Sequence, residues 1–148
     1  MMKTTIIPQI KQITAFDTPL VLSSFSLSQS VLDNFPRAKE IFADNRIGGE
    51  NPIRYVVEQM PEEAYRIRAR NGCIDVLASS SKGLMYGLFT LSELDFINDG
   101  QLCEFDVYDE PSLPLRALSD DISRGQISTL SNFYAVIRRL ARYKYNTY

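Results

Sequence analysis

Three arginines alternate along one short segment of the chain, at Arg66, Arg68 and Arg70. Side chains two residues apart on a β-strand point to the same face, so a strand here carries a stripe of guanidinium groups. Such a stripe has the composition of an anion-binding surface, because each guanidinium stays charged and offers five donors. The alternative, which we favour, is a charged sheet face that meets only solvent.

The residue types that the chain lacks exclude several kinds of active site. Its 148 residues include no His, which rules out Ser-His-Asp and Cys-His catalysis as well as histidine-bound zinc or haem iron. The two cysteines, Cys73 and Cys103, are too few for a disulfide framework or a four-thiolate metal site. We therefore expect two free, packed thiols, no metal and no cofactor.

Charge and hydropathy narrow the class of protein further. The 16 Lys and Arg residues against 18 Asp and Glu give a formal charge of −2, without the basic excess of a nucleic-acid-binding protein. The N-terminal residues contain no apolar region long enough for a signal peptide, and no run approaches the ~18 apolar residues of a membrane span. We expect no nucleic-acid or membrane partner, and a protein that is cytoplasmic or whose leader has been removed.

The clearest local signal is a β-hairpin. Asn71 and Gly72 separate two alternating runs, residues 65–70 and 73–78, and Asn-Gly is the preferred pair for a two-residue type I′ turn. A two-residue turn fixes the register, so the apolar and the polar pairs fall on opposite faces. The predicted pairs are Ala69 with Ile74, Ile67 with Val76, Arg70 with Cys73, and Arg68 with Asp75.

Short apolar or alternating runs predict further strands among the first 110 residues. The segments are 20–22, 25–27, 53–58 and 103–107.

Helical spacing predicts two helices among these strands. The first covers about 30–47 and is divided at Pro36, and the second, capped by preceding serines, covers about 82–96. Gly83 and Gly87 lie one turn apart in the second helix, where each costs about 1 kcal/mol relative to Ala. We therefore expect this helix to approach a sheet closely.

A linker with Pro111 and Pro114 precedes a different pattern at the C-terminal end. Residues 115–122 read as a strand that carries carboxylates at its end, and residues 130–141 read as a helix. Another strand begins near Tyr145. Strand, helix and strand in this order begin a parallel β-α-β pattern, so we expect the chain to end inside a larger domain.

The C-terminal segment resembles glycoside hydrolase family 20, the β-N-acetylhexosaminidases. That family opens its catalytic (β/α)8 barrel with Arg-Gly, several apolar residues, Asp and Ser-Arg, and the following helix ends in Lys-x-Asn. The corresponding residues here run from Leu115 to Arg124 and from Tyr134 to Asn146, although Ala117 replaces the usual Gly. Upstream, three segments are similar to the accessory domain of the family: 7–9, 64–67 and 81–91.

The resemblance implies an α+β fold in two parts. Residues 1–110 would form an accessory domain, a small mixed or antiparallel sheet with helices packed on it. Residues 111–148 would form a linker and the first βα unit of a truncated TIM barrel.

The resemblance also implies roles for three residues. Arg116 matches the arginine that binds sugar hydroxyls in the −1 subsite, and Asp121 and Arg124 match structural positions at the barrel mouth. The alternative for Arg116 is a buried ion pair with Asp120 or Asp121.

The reaction implied for the parent protein is substrate-assisted retaining hydrolysis, which removes a terminal N-acetylhexosamine. The acetamido oxygen of the sugar attacks its own anomeric carbon, a Glu acts as general acid, and a preceding Asp orients the acetamido group. In the family this Asp-Glu pair lies several barrel strands further on, so we expect the present chain alone to be inactive. The implied partners are the remainder of the barrel and, for the parent, an amino-sugar glycan.

Two alternatives stay open. The first is that the chain is a self-standing carbohydrate-binding or protein-interaction module, which the arginine stripe and the tyrosines near the C-terminus would allow. The second is that it is the accessory part of a hyaluronidase-like or α-glucuronidase-like parent.

Without barrel partners, the apolar face of the terminal helix would be exposed to water, which is unfavourable. We expect the predicted helix over residues 130–141 to dock on the accessory domain, to form a dimer contact, or to be disordered.

Overall fold

A computed structural model describes residues 1–20, 24–121, 123, 125 and 127–148. The chain divides into two units, Met1–Glu110 and Pro111–Tyr148.

The first unit is built on a six-stranded mixed sheet with the strand order β1-β6-β4-β5-β3-β2. The neighbouring pairs β1-β6, β6-β4 and β4-β5 are antiparallel, whereas the pairs β5-β3 and β3-β2 are parallel. The strands are β1 (Gln12–Pro19), β2 (Phe25–Leu27), β3 (Asn51–Val57), β4 (Tyr65–Arg70), β5 (Cys73–Ala78) and β6 (Cys103–Asp109).

The predicted hairpin forms β4 and β5 in the predicted register. All four predicted pairs are present, and the turn residues Asn71 and Gly72 both have positive φ, at 49° and 74°. A type I′ turn needs positive φ at both positions, which Gly adopts freely and Asn tolerates. The residues of the turn therefore set the register between β4 and β5, at the centre of the sheet.

The described residues of this unit form two α-helices, α1 (Gln29–Asn34) and α2 (Ser81–Ile97). Helix α1 ends before Pro36 because a proline disfavours the helical conformation of the residue before it. Beyond Asn34 the prediction of a continuing helix is wrong, since the chain forms two short 3₁₀ turns, Ala38–Ile41 and Asp44–Arg46.

Helix α2 packs against β4 and β5, as its two glycines predicted. A β-carbon at Gly83 would collide with the carbonyl oxygen of Ala64 and lie 2.9 Å from Cβ of Ala78. One at Gly87 would lie 2.6 Å from Cγ1 of Val76. The Oγ of Ser80 caps the helix by accepting a hydrogen bond from the N–H of Gly83 at 3.2 Å.

The core lies between this helical layer and the covered face of the sheet. Its fully buried side chains include Phe25, Ile53, Ile67, Ile74, Val76, Leu84, Leu88, Leu91, Leu94 and Phe105. The first unit is thus an α+β domain with helices packed on a mixed sheet, as the resemblance implied.

The strands differ from the sequence predictions at two places near the N-terminus. Strand β1 has no counterpart in the sequence predictions, because it pairs only with β6 at the sheet edge and none of its residues is buried. The predicted strand 20–22 lies mostly outside the described residues, and Leu20 itself is in no strand.

The second unit contains one long element, α3 (Leu130–Arg142). The Oγ1 of Thr129 caps it by accepting from the N–H of Asn132 at 3.3 Å. The predicted strand over 115–122 is not formed among its described residues, where pairing is limited to one parallel bridge between Ala117 and Thr147. A single bridge results because a strand needs a continuous neighbour, and this unit supplies only the short segment after α3.

Candidate functional site

Arg116 lies in the second unit, just before the Ala117–Thr147 bridge, and its side chain is half-buried. Its Nε donates to the carbonyl oxygen of Lys144 at 2.5 Å, and its Nη1 donates to the carbonyl oxygen of Leu113 at 2.6 Å. The guanidinium therefore bridges the loop that precedes it in the chain and the end of α3.

Asn146 brackets the backbone of Arg116. Its Oδ1 accepts from the N–H of Arg116 at 3.0 Å, and its Nδ2 donates to the carbonyl oxygen of Pro114 at 2.8 Å. The N–H of Asn146 donates in turn to the carbonyl oxygen of Arg116 at 3.0 Å. Sequence reasoning singled out Asn146 only as part of the Lys-x-Asn resemblance and assigned it no role.

Lys144 is the turning point between α3 and this short segment. Its φ of 61° lies in the left-handed region, where a residue with a β-carbon costs about 1–2 kcal/mol. It is 9% exposed, and no other described residue of the second unit is as deeply buried. The second unit thus keeps an unfavourable backbone conformation at Lys144, whose carbonyl oxygen accepts a hydrogen bond from Nε of Arg116.

The two carboxylates that follow Arg116 in the chain, Asp120 and Asp121, have hydrogen-bond donors of their own. Asp121 accepts from the N–H of Ser123 at 2.8 Å and from its hydroxyl at 2.5 Å. These two hydrogen bonds lower the pKa of Asp121 from its ordinary value. The hydroxyl of Tyr148 donates to Asp120 at 3.3 Å. Arg124, the third residue that the resemblance assigned to this site, lies outside the described residues.

The arginine stripe of β4 lies on the sheet face away from α2, with carboxylates on the neighbouring strands. Arg70 donates to Asp106 at 2.7 Å, and its guanidinium lies 4.1 Å from the ring centroid of Phe16. Arg66 pairs with Glu58 at 3.3 Å.

Arg68 stands opposite Asp75 on one side and Asp106 on the other in the strand register. Each arginine of the stripe therefore has an acidic neighbour. This balance favours the charged, solvent-facing surface over the anion-binding stripe.

Two buried polar clusters in the first unit were not predicted. The hydroxyl of Tyr65 donates to Asp109 at 2.8 Å and lies 2.6 Å from the hydroxyl of Thr90. Arg46 and Asp95 form a two-pronged ion pair beside α2. Their partners lie 25 to 49 residues apart in the chain, so no local pattern marks them.

The described residues hold neither a metal-ligand cluster nor a membrane-spanning helix. No three Cys, Asp or Glu side chains among them gather in a group fit to hold a metal ion. Cys73 and Cys103 are free and half-buried, as expected, and burial raises the pKa of the Cys73 thiol. Across the described part of the chain, no helix combines the length and the apolar character that a membrane crossing requires.

Sequence comparison identifies no relative: no protein-family model and no curated protein matches the chain. Solved structures do match it in fold. The family 20 exo-β-N-acetylglucosaminidase from Vibrio harveyi, in complex with N-acetylglucosamine, matches with a TM-score of 0.74 and 18% identity, over 95% of this chain and 24% of that chain.

Two further structures show the same likeness. The β-N-acetylhexosaminidase from Bacteroides fragilis matches with a TM-score of 0.78 and 20% identity, over 97% of this chain and 32% of its own. A structure named CpGH84B matches with a TM-score of 0.69 and 16% identity, over 97% of this chain and 29% of its own.

The chain thus spans about a quarter to a third of the chains that it matches. At these identities the likeness concerns the fold. In fold, the chain is similar to the β-N-acetylhexosaminidases of glycoside hydrolase family 20.

Proposed function

We propose that the chain is the non-catalytic N-terminal part of a β-N-acetylhexosaminidase-like glycoside hydrolase. The observation that carries this proposal is the match of 95% or more of the chain to family 20 structures that are three to four times its length. A match of that extent necessarily includes most of the second unit as well as the first.

In this proposal the second unit is the first βα unit of a TIM barrel, and its partner is the remainder of that barrel. The unpartnered face of α3 supports the idea. Leu130, Tyr134 and Ile137 are 67%, 53% and 44% exposed, although they recur at helical spacing. Burying a large apolar side chain fully contributes about 1.5–3 kcal/mol, so covering this face would stabilise the unit by several kcal/mol. In a TIM barrel, neighbouring strands and helices provide that cover.

We assign Arg116 the role that the resemblance implies, binding sugar hydroxyls of a terminal N-acetylhexosamine. Its guanidinium remains charged at any working pH and carries five N–H donors in a fixed planar arrangement, of which Nε bonds the carbonyl of Lys144 and Nη1 that of Leu113. Asp121 and Arg124 would support the barrel mouth. Asp121 already orders its own loop through Ser123, which fits a structural rather than a catalytic role.

The parent would cleave its substrate by the substrate-assisted route, in which the acetamido group of the sugar supplies the nucleophile. The Asp that orients this group and the Glu that protonates the leaving oxygen would come from later barrel strands. The present chain would contribute one wall of the sugar site and the companion domain, but no acid or base.

A parent from another glycoside hydrolase family is the second candidate. The observation in its favour is the match to CpGH84B, because a fold that occurs in both families does not select between them. A self-standing binding module gains less support, since the arginine stripe that motivated it is balanced by carboxylates.

The test is to determine the complete reading frame around this chain and to express its product. We expect an Asp-Glu pair within a barrel-length continuation, and release of p-nitrophenol from p-nitrophenyl N-acetyl-β-glucosaminide. Substituting either member of that pair should abolish release. A continuation without such a pair, or a product that leaves this substrate intact, would overturn the proposal in favour of the second candidate.

A further inference from the structure

The second unit holds Arg116 by hydrogen bonds rather than by an apolar core. No apolar side chain among its described residues is buried. Its two chain segments meet through the N–H of Leu118 on the carbonyl of Thr147 at 3.2 Å and through the contacts of Arg116. Hydrogen bonds are directional, so they fix orientation where loose apolar contacts do not.

The side chain of Asn146 makes two backbone contacts at once, one with Arg116 and one with Pro114. It accepts from the N–H of Arg116 and donates to the carbonyl of Pro114. A carboxamide carries its acceptor and its donor on two separate atoms, so it can bond both backbone groups at once. An aspartate in the same place would keep the first bond and would oppose the Pro114 carbonyl with a second acceptor.

The backbone of the same short segment holds the other end of the arginine. The carbonyl of Lys144, two residues before Asn146, accepts from Nε of Arg116. The left-handed conformation of Lys144 turns the chain out of α3 at that point. Arg116 is therefore fixed at its backbone by Asn146 and at its guanidinium by Lys144.

We propose that Asn146 is a positioning residue for Arg116: by holding residues 114–116 against the end of α3, it sets where the guanidinium stands. The geometric part of this inference concerns only the present chain. Its consequence for sugar binding rests on the proposed function, in which Arg116 contacts the sugar and Asn146 acts through it.

The geometric part is tested by NMR on the full 148-residue chain. We expect the Nε–H of Arg116 to exchange with solvent about tenfold more slowly in the wild type than in Asn146→Asp, whereas the backbone N–H of Arg116, whose acceptor the aspartate keeps, should stay protected. Asn146→Leu, which removes the bonds to both Arg116 and Pro114, should speed the exchange of both protons. Asn132→Asp is the matched control: it makes the same chemical change in the first turn of α3, and it should leave both Arg116 signals unchanged.

Amide protection along α3 shows whether each variant keeps its fold. If the Asp variant retains α3 and the Nε–H of Arg116 exchanges as slowly as in the wild type, Asn146 does not position Arg116. If the Leu variant loses α3, the Asp variant, which keeps one of the two bonds, still decides the question.

The functional part uses the product of the complete reading frame. Arg116→Lys and Asn146→Asp should each raise KM about tenfold, and the double variant should raise it no further, because both changes disturb one contact. Additive effects would contradict positioning through Arg116. If the wild-type product cleaves no N-acetylhexosaminide, the proposed function fails, whereas the NMR result still decides the geometric inference.

Discussion

Arg46 and Asp95, 49 residues apart in the chain, form a two-pronged ion pair in the first unit. Nε of Arg46 lies 2.8 Å from Oδ2 of Asp95, and Nη2 lies 2.6 Å from Oδ1. The two side chains are only 17% and 7% exposed, and the guanidinium lies 5.0 Å from the ring centroid of Phe25. This pair fastens the Asp44–Arg46 turn to helix α2.

We predict that Asp95→Asn destabilises the first unit by about 3 kcal/mol, because it leaves a buried guanidinium without its counter-charge. Urea unfolding followed by circular dichroism measures the loss. The exposed pair Arg37–Glu40 provides the control, and Glu40→Gln should change the stability by less than about 1 kcal/mol. Equal effects of the two substitutions would show that burial of the Arg46 pair has no energetic consequence.

Gly83→Ala should also destabilise the first unit, by about 1–2 kcal/mol. Alanine gains about 1 kcal/mol in helix propensity, but its methyl group would meet the backbone carbonyl of Ala64, which cannot rotate away. Gly87→Ala meets the side chain of Val76 instead and should cost less. Thermal unfolding ranks the variants, with the exposed Lys82→Ala as control. A Gly83→Ala variant more stable than the wild type would refute the close approach of helix and sheet.

Tyr65→Phe should cost about 1–3 kcal/mol, since Thr90 and the buried carboxylate of Asp109 each lose a hydrogen-bond partner. The exposed Tyr143→Phe is the matched control and should be close to neutral. Urea titrations of both variants at pH 7 measure the difference.

The same tyrosine makes the stability dependent on alkaline pH. Burial, and then the negative charge of Asp109, raise the pKa of Tyr65 well above its ordinary value of 10. The folded chain therefore keeps a proton that the unfolded chain releases above pH 10, so stability is full below that pH and falls as pH rises further. Between pH 10 and 11 we expect the wild type to lose about 1 kcal/mol more than Tyr65→Phe. Parallel pH profiles would contradict this coupling.

Arg68→Ala should be nearly silent, with a change in stability within about 0.5 kcal/mol, because the exposed charges of this sheet face are screened by water. Titration with inorganic phosphate, followed by NMR, should give no saturable shift in either protein. Saturable binding that disappears in the variant would restore the anion-binding interpretation of the stripe.

Prediction from sequence succeeded where local chemistry decides the structure. The Asn71–Gly72 turn dictated the register of β4 and β5, and the glycines of α2 indicated its close packing. It failed for β1, because an edge strand with no buried residue leaves no apolar alternation to detect.

The remaining features depend on contacts that are distant in sequence. The ion pair of Arg46 with Asp95 and the bracket of Arg116 by Asn146 have no local signature. The segment 115–122 has strand composition, but a strand needs a neighbouring strand along its length, which the sequence of this segment alone does not supply. The family resemblance singled out Arg116 and Asn146 in the sequence, but only the structure shows that they are hydrogen-bonded to each other.

The central claim is that this chain is the non-catalytic N-terminal part of a family 20-like hydrolase. The most direct measurement is the release of p-nitrophenol from p-nitrophenyl N-acetyl-β-glucosaminide, compared between the purified 148-residue chain and the product of the complete reading frame. The account predicts turnover by the complete product and none by the chain. Turnover by the chain alone, or no turnover by the complete product, would contradict it.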